Sequence, residues 1–224
     1  MAKQRVGIVG AGQVGVAGAF AMFVQEVCSE LVLVDLDKRR AHGEALDLMH
    51  GQGYAGRIVV KDGDYELLAG CQVVVIAAGA AQKPGETRLD LLNKNAAIFR
   101  SIAAELDRHA PDAIVVIASN PVDILTYIMQ ELSARPPEKV IGTGTMLDTS
   151  RFRSLLGDYY HVDPKSVHGY ILGEHGDSEF AAWSTVTIGG KSPVGAGILG
   201  RPWNQADMDT LFDQVKNAAY EIIE

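Results

Sequence analysis

A histidine flanked by glycines has open backbone around it and room for a ligand. His175 lies in such a stretch, Gly169-Tyr-Ile-Leu-Gly-Glu-His-Gly-Asp-Ser178. Imidazole titrates near neutrality, so His175 reads as a proton donor and acceptor. A carboxylate and a guanidinium stand a little upstream in Leu147-Asp-Thr-Ser-Arg-Phe-Arg-Ser-Leu-Leu156, a run with helical character. Asp148 and Arg151 are three residues apart and share one helix face there. On the residues alone they form either part of a site or an ion pair on a solvated surface.

A second chemistry is written near the start of the chain. Gly10-Ala-Gly-Gln-Val-Gly15 follows the apolar run Arg5 to Val9 and precedes a small-residue-rich segment, Val16 to Val27. Leu31-Val-Leu-Val then leads to Asp35, twenty residues beyond Gly15. Strand, glycine turn, helix, strand and acid in this order predict a dinucleotide site. Gly10 permits the tight turn, Gly12 lets a pyrophosphate approach the backbone, and Gly15 lets the helix pack close to the strand. Gln13 and Val14 lie at the helix start, where free N–H groups attract phosphate. Asp35 can accept from the ribose hydroxyls and would repel a 2′-phosphate, which predicts NAD rather than NADP.

These residues need a scaffold, and the chain predicts one. Further buried strands are expected near Val59-Val60, at Val73 to Ala77, at Ile114 to Ala118 and at Val140-Ile141. Helices are expected over 37–50, 88–109 and 123–132. Alternating strands and helices imply an α/β Rossmann fold, a doubly wound parallel sheet covered on both faces. Ligands of such sheets bind at the carboxyl ends of the strands, where Gly10, Asp35, Gly79 and Asn120 fall. The polar loop 79–88 has the profile of a lid. Beyond Gly142 the pattern changes. A helix over 147–156, antiparallel strands at Val167 to Leu172 and Ala182 to Ile188, and an amphipathic helix over 204–224 imply a smaller α+β domain. The expected domains are 1–142 and 143–224.

Composition bounds the alternatives. The 224 residues are 47% hydrophobic and 21% charged, in the range of a soluble globular protein. A net charge of −8 argues against nucleic acid, which needs a basic face. No apolar stretch reaches membrane-spanning length. Cys28 and Cys71 make no metal or redox motif and fit a reducing compartment. Only four residues precede the first apolar run, so no leader peptide is expected and a cytoplasmic location is. No metal site is expected.

The glycine motif, Asp35, Ala77-Ala-Gly-Ala-Ala-Gln-Lys-Pro-Gly-Glu-Thr-Arg88, Ser119-Asn-Pro-Val122, Leu147-Asp-Thr-Ser-Arg-Phe152 and Gly173-Glu-His-Gly-Asp-Ser178 occur in order. Together they resemble the L-lactate and malate dehydrogenase family, nearest its bacterial L-lactate dehydrogenase branch, along the whole chain. The resemblance implies that His175 is the catalytic acid and base, protonating the pyruvate carbonyl oxygen as NADH delivers hydride. It implies Asp148 as the partner that fixes the tautomer and favours the imidazolium. Arg151 is implied as the bidentate clamp for the substrate carboxylate, Arg88 as the lid arginine that polarises the carbonyl, and Asn120 as a cofactor and substrate contact.

Residue 82 bears on the substrate. Malate enzymes of this family carry arginine there, to pair the second carboxylate of oxaloacetate. Gln82 leaves that carboxylate unpaired, and a lost buried charge partner costs ~3–5 kcal/mol. Pyruvate and L-lactate are therefore expected over oxaloacetate and malate. Arg153 and His168 match positions where bacterial relatives bind fructose 1,6-bisphosphate between subunits, and a homotetramer is implied with them. The family pattern continues past Glu224, so the resemblance implies a longer protein that also carries a threonine-bearing pocket segment and a terminal helix. The alternatives are a malate or other 2-hydroxy acid dehydrogenase, or a dinucleotide-binding chain without turnover.

Overall fold

The computed structural model describes residues 4–55, 57–80 and 88–223. The chain forms two compact units, Met1–Gly142 and Thr143–Glu224.

Six parallel strands build the first unit: β1 (Arg5–Val9), β2 (Glu30–Val34), β3 (Val59–Gly63), β4 (Val73–Ile76), β5 (Ile114–Ile117) and β6 (Val140–Gly142). Their spatial order is β3-β2-β1-β4-β5-β6. The chain works outward from β1 to β3, then crosses back to place β4 on the other side of β1. That reversal between β1 and β4 opens a crevice at the carboxyl ends of the strands. Helices α1 (Gln13–Gln25), α2 (Lys38–His50), α3 (Arg88–His109) and α4 (Val122–Leu132) fill the connections.

Strand side chains alternate between faces, and the sequence uses both. Ile8, Leu31, Leu33 and Val60 pack on Ala19 and Phe23 of α1 and on Ala45 and Leu48 of α2. Their neighbours Val9, Val32, Val34, Val74, Ile76 and Val115 pack in a separate core with Phe99, Ile102 and Leu106 of α3 and Leu125 and Met129 of α4. This two-faced burial explains why the strands read as continuous apolar runs rather than alternating ones. It bears out the α/β Rossmann expectation. Helix α1 begins three residues before the apolar segment suggested, at the end of the glycine turn. Asp37 caps α2, its side chain accepting from the N–H groups of Arg39 and Arg40.

The second unit holds α5 (Met146–Tyr160), α6 (Gln205–Ile223) and four two-residue strands: β7 (Val167–His168), β8 (Ile171–Leu172), β9 (Phe180–Ala181) and β10 (Thr187–Ile188). β7 pairs antiparallel with β10, and β8 with β9. Of the two strands expected from the sequence, Val167 to Leu172 is broken into β7 and β8, and Ala182 to Ile188 is strand only at β10. Gly169 interrupts the first, because its carbonyl accepts from Arg153 Nε at 3.0 Å instead of from a strand. A single helical turn at Trp183–Thr185 takes the place of the first part of the second. Phe152, Leu156, Tyr160, Ile171, Val186, Met208, Leu211 and Val215 form the core beneath.

Candidate active site

In the first unit, geometry concentrates at the glycine turn. Gly10 has φ +104°, and a Cβ there would lie 2.5 Å from the Ala78 nitrogen, so backbone fills the space a side chain would need. A Cβ on Gly15 would fall 1.8 Å from the Gly10 carbonyl oxygen, which is how closely α1 meets the end of β1. Gly12 differs: a Cβ there meets nothing within 4 Å among the described residues. It caps α1 with no side-chain hydrogen bond, and no acid occupies the first turn. The helix start thus presents backbone N–H groups and positive partial charge toward open space. Val14, in that first turn, is exposed, as is Gln13.

The Asp35 carboxylate stands beside this turn and is held on both oxygens. Oδ2 accepts from the Ala11 N–H at 2.6 Å, and Oδ1 from the Asp37 N–H at 2.8 Å. Each oxygen retains a lone pair for a further donor. The end of β4 is pinned as well. The buried Asn95 accepts from the Ala80 N–H at 2.8 Å, and the Ser119 hydroxyl donates to the Ala78 carbonyl at 2.6 Å. A cavity of about 530 Å³ is lined by Gly10, Gly12, Asp35, Gly79, Arg40, Tyr65, Ile98 and Ser101, among others. Burial raises the Tyr65 hydroxyl to about 12, with smaller contributions from the negative charges of Glu105 and Asp35. Asn120 is exposed and joined to Pro121 by a cis peptide. An open helix start, an acid at the second strand end and an apolar wall fit a dinucleotide. Arg40, Tyr65, Asn95, Ile98 and Ser101 are absent from the sequence reading, since nothing in their local pattern marks them.

In the second unit, α5 organises the polar groups. Thr145 Oγ1 donates to the Ile171 carbonyl at 2.6 Å, and Thr149 Oγ1 accepts from the Ile171 N–H at 3.0 Å. One helix turn thereby grips both backbone groups of a residue in β8. Between those threonines, Asp148 is 2% exposed and carries two contacts. Its Oδ2 lies 2.5 Å from His175 Nδ1, and its Oδ1 accepts from Arg151 Nη1 at 3.1 Å. The structure therefore brings His175, Asp148 and Arg151 together, and the Asp148–Arg151 pair is part of this cluster rather than a solvated pair. Gly173 (φ +95°) turns the chain from β8 into the histidine loop. Lys216 of α6 donates to the Asp177 carbonyl at 2.8 Å on the far side of that loop.

A fourth group joins them that the sequence reading did not single out. Glu179 is 5% exposed, and its Oε1 has no hydrogen-bond partner among the described residues. One ligating atom each of Asp148, His175 and Glu179 lies within 4.8 Å of the other two. Such a trio could face a metal ion, but Asp148 is already committed to Arg151 and His175. Burial pushes the Glu179 carboxyl up to about 7, with further upward contributions from the charge of Asp148 and a hydrogen bond to it. His175 and a backbone hydrogen bond from Gly176 act in the opposite direction.

The remaining candidates are placed less completely. Gln82 and most of the expected lid lie outside the described residues. Arg88 opens α3, and its side chain is likewise outside them. Arg153 donates to the Gly169 carbonyl and stacks over the Tyr170 ring at 5.0 Å, while His168 is exposed in β7. Arg153 thus contacts Gly169 and Tyr170, which directly follow His168.

Comparison with known proteins agrees with both halves of this description. Residues 4–142 match the lactate/malate dehydrogenase NAD binding domain, and residues 145–224 match the alpha/beta C-terminal domain of the same family. The L-lactate dehydrogenase of Salinibacter ruber is 56% identical over 223 residues, covering 99% of this chain and 71% of the relative. That of Thermus aquaticus is 47% identical over 221 residues, covering 98% and 71%. The crystal structure of the minor L-lactate dehydrogenase from Enterococcus mundtii, in a ligands-bound form, superposes with a TM-score of 0.95 at 50% identity, covering 99% of this chain and 71% of that one. With two family domains in sequence and relatives this similar along almost its whole length, the chain belongs to the lactate/malate dehydrogenase family, and its cofactor is NAD.

Proposed function

We propose that this protein is an L-lactate dehydrogenase, interconverting pyruvate and L-lactate. The observation that carries the reading is the His175–Asp148 contact, supported by relatives named for that activity. Asp148 engages Nδ1, so the imidazole exchanges its proton with the substrate oxygen through Nε2. The Asp148 carboxylate offsets the positive charge that the ring carries before it protonates the pyruvate oxygen. Arg151 keeps guanidinium N–H groups beyond the one given to Asp148, and those clamp the substrate carboxylate. Arg88 polarises the carbonyl. NAD supplies and accepts the hydride when bound. It would be held by the N–H groups at Gly12, Gln13 and Val14, by Asp35 on its ribose, and by Gly79 and Asn120 at the following strand ends.

Gln82 makes pyruvate the preferred substrate over oxaloacetate. Measuring NADH consumption with each substrate tests this reading. Turnover with pyruvate that collapses by about 10²-fold or more in His175→Gln supports it, and undiminished turnover in that variant overturns it. Gln82→Arg is expected to reverse the preference toward oxaloacetate, and a variant still favouring pyruvate would remove residue 82 from the pocket.

The reading extends to assembly and regulation. Val14, Phe20 and Val24 expose an apolar face on α1, which suits burial in a homotetramer. Arg153 and His168 form the cationic pair for fructose 1,6-bisphosphate. Pyruvate affinity that does not respond to this sugar bisphosphate, at a pH where His168 is charged, would count against that role. The two buried thiols fit a cytoplasmic enzyme.

A further inference from the structure

We propose that Glu179 is a positioning residue for the Asp148–His175 pair. As a carboxylic acid it shares its proton with the Asp148 carboxylate; as a carboxylate it adds a second negative charge that holds the imidazole in its protonated form. This rests on the reading of His175 as the catalytic acid and base.

The geometry carries the argument. Glu179 is a nearly fully buried acid whose Oε1 finds no partner among the described residues, an arrangement that is costly for a charged group. It lies in the same 4.8 Å cluster as Asp148 and His175. Two buried carboxylates at that separation do not both ionise without cost, and the proton goes to the one with fewer cationic partners. Asp148 is paired with both His175 and Arg151. Glu179 takes the proton, in line with its raised titration point.

Among the described residues, the charged groups that act on Glu179 are Asp148 of α5 and His175 of the histidine loop. Arg151 pairs with Asp148, and the histidine loop also carries Glu174 and Asp177. Of the last two, Glu174 accepts from the Ser178 hydroxyl and both are exposed. From α6, Lys216 reaches only the Asp177 backbone and the face of Phe212. None of these replaces Asp148 as the nearest acceptor for a Glu179 proton. The consequence is a device that works with rising pH. As solution protons become scarce and the imidazolium would be lost, Glu179 ionises and favours retaining it. Pyruvate reduction, which needs the imidazolium, is thereby extended toward alkaline pH.

Two measurements test this. In pH–rate profiles for pyruvate reduction, Glu179→Gln keeps an amide donor for Asp148 but cannot ionise. Its alkaline fall-off is expected about one pH unit lower than in the parent protein, whereas Glu179→Asp is expected to retain most of the extension. A fall-off unchanged in Glu179→Gln overturns the proposal. The second measurement does not depend on turnover. The infrared carbonyl stretch of a protonated carboxylic acid is expected in the parent protein at mildly acid pH, to vanish on titration through neutrality, and to be missing from Glu179→Gln. No such band in the parent protein, or a band that persists in the variant, overturns it. If His175→Gln keeps full turnover, the acid–base reading fails instead, and the infrared titration still reports on Glu179.

Discussion

Asp148 shows how one carboxylate can carry two duties. It lies 2.5 Å from the His175 ring and 3.1 Å from the Arg151 guanidinium, while itself nearly sealed from water. Removing its charge while keeping its shape should separate those duties. In Asp148→Asn, kcat for pyruvate reduction is expected to fall by about 10²-fold or more, with the alkaline limb moving to lower pH because the imidazolium loses its partner. A rate profile that merely scales down, with no shift, would mean that Asp148 only holds Arg151. The shared helix face of Asp148 and Arg151 was readable from spacing, while their place beside His175 was implied only by the family resemblance. Glu179 was not readable, although it follows that stretch directly. What marks it is burial and an unpartnered oxygen, and both are properties of the packed structure.

Elements explain where sequence reading succeeds and where it stops. The central strands β1, β2 and β4 were legible because each carries an apolar run between turn residues and packs on both faces, whereas the edge strand β3, Val-Val-Lys-Asp-Gly, gives a weaker signal. The strands of the second unit were not, because a side chain of α5 decides where they break: Arg153 takes the Gly169 carbonyl that a longer strand would have used. Polar tethers such as Thr149 to Ile171 and Ser119 to Ala78 escape a linear reading for the same reason. The glycine turn gives a matched pair of predictions. Gly15→Ala drives a methyl group onto the Gly10 carbonyl, so reduced stability and loss of NADH binding are expected together. The Cβ of Gly12→Ala meets no atom of the described residues within 4 Å beyond its own chain neighbours, so its thermal midpoint should stay near the parent value while its NADH dissociation constant rises. Fluorescence titration beside thermal melts checks both. Equal effects from the two substitutions would mean that Gly12 does not face the cofactor.

At the scale of the whole molecule, Glu179 should leave a mark on stability as well as on rate. Its carboxyl titrates near 7 in the folded chain against an ordinary value near 4.5, so the folded state binds that proton more tightly. The stabilisation it contributes is complete below about 4.5 and is lost as pH rises through about 7. Urea midpoints are therefore expected to decline across that window, and Glu179→Gln should flatten the decline. A parent protein with the same pH slope as the variant would show that Glu179 does not set it. The fold itself places the two chemistries in separate compact units, Met1–Gly142 with the glycine turn and Thr143–Glu224 with the histidine loop.

The grip of Asp35 on the glycine turn has a consequence for anyone seeking to alter the coenzyme. Exchanging Asp35, proposed above to meet the coenzyme ribose, would discard more than a charge. It would also unfasten the Ala11 and Asp37 amides, which the carboxylate ties together where the neighbouring strands β1 and β2 end. A redesign that rewrites only this letter should yield a protein loosened toward both coenzymes. Preference would then change hands only once another acceptor took over those two amides.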